Sequence, residues 1–177
     1  LSHAHTRTDA KGRTLNLIHR DVSPHNVMIG FQGEVKLFDF GIARLVGDSD
    51  PVEGIPGGGK YAYMSPEQAN GLPMDLRSDL YSAGVVLYEL LVGHRLFQDP
   101  DPAEKLRRVR AAEVPDPRPE NPDIPDDLWM ILSSMLAKEP KDRPVNAGEA
   151  EETLWAFLYR HNLRADAHEL AAFMADR

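Results

Sequence analysis

Apolar positions along the chain fall into two kinds of run. Between Asn26 and Gly41, the segment NVMIGFQGEVKLFDFG places two short apolar stretches around Gln32-Gly33, the pattern of a β-hairpin with a compact turn. From Arg77, RSDLYSAGVVLYELLVG is apolar nearly all round, with Ser78 or Asp79 as its cap, and predicts a helix buried on every side. DPAEKLRRVRAA predicts a short charged helix. PDDLWMILSSMLAKEP predicts an amphipathic one, with Leu128, Ile131, Leu132, Met135 and Leu136 on one stripe and Pro140 past its end. Asn146 with Glu149, and Asp166 with Glu169, form capping pairs for two closing helices that carry Leu154, Phe157 and Leu158, then Leu170, Phe173 and Met174. At the other end, LSHAHTRTDAKG reads as the end of a helix stopping near Gly12. Ile42 to Gly59 is rich in glycine and proline and predicts a long mobile loop, while PDPRPENPDIP reads as a surface connection between helices.

Composition narrows the function classes. The 177 residues are 42% apolar and 27% charged, enough for one globular domain with a sizeable core, and no apolar run reaches the roughly 20 residues that span a membrane. A net charge of −8 speaks against a general phosphate-backbone binder, so no nucleic-acid partner is expected. With no cysteine, disulfides and thiolate metal sites are excluded, and a cytoplasmic setting is compatible. Because Leu1 stands inside what reads as a helix, the chain is expected to be a piece of a longer protein, one that could be membrane-anchored elsewhere.

The chemistry starts at LIHRDVSPHNVMIG, residues 17 to 30. Alone, His19-Arg20-Asp21 is an ordinary solvated turn. Its weight comes from order: Asn26 follows Asp21 by five positions, DFG leaves the hairpin, YMSPE follows the long loop, and KDRP stands near the end. This ordered set resembles the protein kinase family, specifically the larger C-terminal lobe of a serine/threonine kinase, over about residues 1 to 160; residues 161 to 177 form a helical extension. HRDVSP and GKYAYMSPEQ are similar to strings of bacterial, myxobacterial kinases.

The resemblance implies an α+β, mainly α fold: a helical bundle around a buried central helix, with a small β-hairpin carrying the catalytic and metal-binding turns. It implies ATP and Mg2+ as cofactors and a protein substrate as partner. Asp21 would be the base that accepts the substrate hydroxyl's proton, and Asn26 and Asp39 would supply oxygen ligands to magnesium. His19 and Phe40 would pack together as a spine, Gly41 would permit a sharp turn, and Arg20 would offer its fork to a phosphate or carboxylate. Asp79 would hydrogen-bond the catalytic-loop backbone, with a simple helix cap as the alternative. Glu67 would pair with Arg143.

Three departures stand out. Ser23 occupies the position where most such kinases carry a lysine, and Lys60 replaces the usual threonine before the PE pair. One reading joins them, with Lys60 supplying the charge that Ser23 cannot; the other leaves Lys60 an exposed loop lysine. Ser49 is the hydroxyl residue between Ile42 and Gly59 and hence the candidate phosphosite facing Arg20. Finally, no glycine-rich phosphate loop, strand lysine or partner glutamate precedes residue 17, so by the resemblance the N-terminal lobe is expected to be absent from these 177 residues. The chain alone is then expected to be inactive and to self-associate through an apolar interlobe face. The rival readings are a pseudokinase or scaffolding module, and a phosphate-binding regulatory domain built on Arg20.

Overall fold

The computed structural model describes residues 1–39, 44–45 and 60–176; for Arg44, Leu45 and Lys60 it describes the backbone. Four short strands and seven helices run through these residues. Strand β1 is Leu17–Ile18, β2 Val27–Ile29, β3 Val35–Leu37 and β4 Arg44–Leu45. The helices are α1 Ser2–His5, α2 Pro66–Ala69, α3 Arg77–Val92, α4 Pro102–Ala111, α5 Asp126–Met135, α6 Ala147–Arg160 and α7 Ala167–Ala175. The architecture is mainly helical with two small antiparallel ribbons, β1 with β4 and β2 with β3. No described helix is long and apolar enough to cross a membrane.

The hairpin forms where its apolar stretches place it. Val27 pairs with Leu37, Met28 with Lys36 and Ile29 with Val35. Gly33 takes φ +80°, a left-handed value that glycine adopts without the Cβ penalty. It also lies against α7, since an added Cβ would stand 1.7 Å from the Ala167 carbonyl oxygen.

Helix α3 is the hub. Tyr81, Val85 and Tyr88 on it meet Leu132 and Leu136 from the α5 side, Phe97 and Val109 from the α4 side, and Ala62, Tyr63 and Met64 from the segment before α2. Gly84 allows the close crossing with α5, because a Cβ there would already be 3.1 Å from Met135 Cβ and Leu136 Cδ2. The far end of α3 is open, with Leu90 76% exposed, so burial on every side holds only for its first turns.

Two local expectations are corrected. Helix α1 ends at His5 rather than near Gly12. The carboxylate of Asp9 accepts the backbone N–H groups of Lys11 and Arg13 at 2.8 and 3.0 Å and folds a turn closed by a Thr8–Thr14 bridge, which competes with helix continuation. At α3 the N-cap is Leu76, with no side-chain cap; the side chains of Ser78 and Asp79 bond elsewhere. The closing helices do carry their caps: Asn146 accepts from Glu149 N–H at 3.0 Å, and Asp166 from Glu169 N–H at 2.9 Å.

Candidate active site

Residues 19 to 26 belong to no extended ladder, so their backbone polar groups need side-chain partners. Asp79, fully buried on α3, supplies the first ones. Its carboxylate accepts His19 N–H at 2.7 Å and Arg20 N–H at 2.9 Å, and in addition His5 Nε2–H at 3.0 Å from α1. A buried carboxylate holding three donors is well compensated for its lost hydration.

His19, also buried, bridges the loop to the hairpin. Its Nε2–H donates to the Phe38 carbonyl at 2.8 Å, while its Nδ1 accepts Asp21 N–H at 3.2 Å, so the proton sits on Nε2. Phe38 N–H in turn donates to the Asn26 carbonyl at 2.8 Å. This bond ties the two ends of the hairpin, the start that carries Asn26 and the end that carries Asp39. Asn26 Nδ2–H donates to the Asp21 carbonyl at 2.7 Å, which leaves Oδ1 as the atom of that side chain able to act as an oxygen ligand.

Asp21 and Arg20 are partly buried, and Asp39 is exposed, with left-handed φ values of +69° at Arg20 and +59° at Asp39. For residues other than glycine such backbone costs about 1–3 kcal/mol and survives only where surroundings over-determine it. Ser23 is buried ahead of the 3-10 turn Pro24–Asn26. Lys60 opens a second 3-10 turn, Lys60–Tyr63; its side chain, like Phe40, Gly41, Ser49 and the rest of residues 42–43 and 46–59, lies outside the described residues, while Arg44–Leu45 within the expected loop forms β4.

Behind the loop, Arg143 is completely enclosed. Its Nη1 and Nη2 donate to the two oxygens of Glu67 at 2.7 Å each. The remaining N–H groups reach the carbonyls of Ala137, Arg77 and Lys138 at 2.8, 3.0 and 2.8 Å, so all five guanidinium donors are used. Ser78 Oγ–H donates to Glu67 at 2.6 Å, and the guanidinium stacks 4.8 Å from the Tyr81 ring centre. Burial acts to raise the Glu67 carboxyl, but the bonds from Arg143 and Ser78 outweigh it and hold it below the ordinary carboxylate range.

The structure thus links His19, Arg20, Asp21, Asn26 and Asp79 in one hydrogen-bonded network, with Asp39 next to Phe38 of that network and Glu67 of α2 bonded to Arg143. Two residues of this network escaped the sequence reading. His5 sits in what looked like a plain helix end, where a single sequence gives no sign of its contact with Asp79. Gln68, beside Glu67, donates through Nε2 to the Arg20 carbonyl at 2.9 Å. Among the described residues no group of three or more His, Asp or Glu forms a metal cage.

Comparison with known proteins bears directly on this network. Residues 13–156 match the family of the protein kinase domain, and the chain belongs to that family. It is 39% identical over 178 residues to the tyrosine-protein kinase MasK of Myxococcus xanthus, covering 98% of this chain and 27% of that protein. It is 41% identical over 140 residues to the serine/threonine-protein kinase PknB of Mycobacterium leprae, covering 78% of this chain and 22% of the relative. A probable serine/threonine-protein kinase of Clostridium acetobutylicum is 37% identical over 139 residues, with 78% and 21% covered. The chain therefore spans about a quarter of the length of these relatives. Bacterial kinases of the eukaryotic type are its kin.

Proposed function

We propose that residues 1–160 are the C-terminal lobe, and 161–177 a helical extension, of an active kinase that transfers the γ-phosphate of ATP to serine or threonine of protein substrates. The observation that carries this reading is the bonding of the Asp21 backbone on both sides, Asp21 N–H to His19 and the Asp21 carbonyl to Asn26. A base in phosphoryl transfer works by placement, and such bonding supplies it.

Asp21 accepts the proton of the attacking hydroxyl. The residues fit magnesium by their donor chemistry, with the oxygens of Asn26 and Asp39 as the protein's share of ligands and phosphates and water as the rest. When bound, the ion neutralises charge on the transferred phosphate. Ser23 adds no charge, and Lys60 supplies it from the substrate side. Arg20 receives a phosphate on Ser49 when that serine is modified. The exposed apolar hairpin, with Met28, Phe31 and Val35 open, is the surface on which the N-terminal lobe or a second copy packs.

One observation favours a second acceptor: the relative that covers 98% of this chain is named a tyrosine-protein kinase. Ser23 is compatible with it. The test is magnesium-dependent phosphate transfer by the kinase containing this segment, offered serine, threonine and tyrosine peptides, with Asp21→Asn and Lys60→Ala alongside. Transfer that falls at least a hundredfold in Asp21→Asn and tenfold in Lys60→Ala is expected, with none from residues 1–177 alone. Folded wild-type kinase with no transfer to any acceptor would instead favour a scaffolding role.

A further inference from the structure

Two peptide planes flank Asp21, and both are held. The Asp21–Val22 plane is fixed by Asn26 Nδ2–H on the Asp21 carbonyl at 2.7 Å. The Arg20–Asp21 plane is gripped at both of its polar ends: its N–H bonds to His19 Nδ1 at 3.2 Å, and its C=O accepts Gln68 Nε2–H at 2.9 Å. A flip of this plane turns ψ of Arg20 and φ of Asp21, leaves the Arg20 φ of +69° as it is, and would break both bonds at once. Of the two bonds that such a flip would break, the 2.9 Å one from Gln68 is the shorter, against 3.2 Å to His19.

Gln68 does not belong to the loop. It lies on α2, which follows the Lys60–Tyr63 turn after Met64 and Ser65, and Ser65 caps that helix by accepting Gln68 N–H at 3.3 Å. Its neighbour Glu67 is anchored by Arg143. Consecutive residues of one short helix thus bind the floor of the lobe and the catalytic loop.

We infer that Gln68 is a positioning residue that makes the placement of Asp21 depend on the seating of segment 60–69. When α2 is anchored, the amide reaches Arg20 and holds Asp21's main chain; when the segment shifts, the plane is released. This inference rests on the kinase reading for its kinetic consequence, but the clamp itself is a property of the 177 residues.

The experiment has two arms. In the 177-residue chain, hydrogen exchange at the Asp21 amide is compared among wild type, Gln68→Leu, Gln68→Glu and Gln68→Lys. Leucine and glutamate cannot donate at neutral pH, and exchange is expected to rise tenfold or more with α3 protection unchanged; lysine, which can donate at similar reach, restores protection. In the kinase containing this segment, Leu and Glu lower kcat at least tenfold with the nucleotide KM unchanged, and Lys recovers most of it. Unchanged Asp21 exchange in both Leu and Glu, or loss spread equally through α3, overturns the clamp. Failure of wild-type kinase to transfer phosphate while the exchange pattern holds would sink the catalytic reading and leave the clamp standing.

Discussion

Around α3, Tyr81, Val85, Tyr88 and Leu132 are at most 1% exposed, whereas on the β2–β3 hairpin Met28, Val35 and Phe31 are 56%, 59% and 90% exposed. Both regions are rich in apolar residues, and only one of them covers its own. The helical half closes around a hub whose buried charges are fully bonded, so its stability is internal. The hairpin owes its shape to a three-pair ladder, a glycine turn and the Phe38–Asn26 bond, while its outer face is left to water. Asn26 and Asp39 stand on this weaker element, which is where low-stability parts and function commonly coincide.

The sharpest way to break the contrast is Arg143→Met. Removing one partner leaves Glu67 buried beside Ser78 without its counter-charge, and a loss of about 3–5 kcal/mol is expected by urea unfolding. Phe31→Ser on the hairpin, an equally drastic change of polarity, should move stability by no more than about 0.5 kcal/mol. Equal losses at the two sites would erase the distinction. Acid sharpens it further. The folded Glu67 carboxyl lies below its ordinary value of 4.5, so its contribution is present above that pH and is lost as pH falls through the lower folded value. In Arg143→Met the bonds and charge from Arg143 no longer offset burial and only Ser78 and the backbone oppose it, so the Glu67 carboxyl rises and that variant gains stability relative to wild type as pH drops toward 4.5.

An intermediate effect is expected where α3 meets the segment before α2. Tyr63 is buried, and its hydroxyl donates to the Glu89 carboxylate at 2.5 Å. Tyr63→Phe leaves that carboxylate without its donor and should cost about 1.5–3 kcal/mol. Burial, then Glu89, pushes the phenol up to about 12 from 10. The neutral phenol therefore contributes fully below pH 10, and that contribution disappears as pH rises through 12. Spectrophotometric titration showing a Tyr63 phenol at its ordinary value would remove the bond from the account.

How much of this was legible beforehand follows from the range over which each signal acts. The hairpin, α4, α5 and the caps at Asn146 and Asp166 are written in neighbouring residues, so local pattern finds them. The end of α1 was missed because the competing signal was the Asp9 side chain folding back on Lys11 and Arg13, not a change in hydrophobic period. Ser78 and Asp79 look like caps in any local reading; what draws them away are partners 11 and 60 positions distant. Asp21, Asn26 and Asp39 are singled out by resemblance to a family, since a turn of polar residues has no periodicity to betray it. Gln68 is the opposite case. Its bond to Arg20 spans 48 positions and uses an amide that sequence offers no reason to single out.

The smallest effect tests whether the hub is as complete as its burial implies. Tyr88 is fully buried on α3, yet its hydroxyl has no hydrogen-bond partner among the described residues. An unpaired buried hydroxyl keeps its desolvation cost, so Tyr88→Phe, which retains the ring and deletes that oxygen, should leave stability unchanged or raise it by about 1 kcal/mol. Tyr63→Phe makes the same chemical change a few ångströms of side chain away from a carboxylate, and its opposite sign is the control. Thermal unfolding of the pair decides between them. If Tyr88→Phe destabilises as much as Tyr63→Phe, the Tyr88 hydroxyl has a strong partner, and the helical half is held at that point by something beyond its own packing.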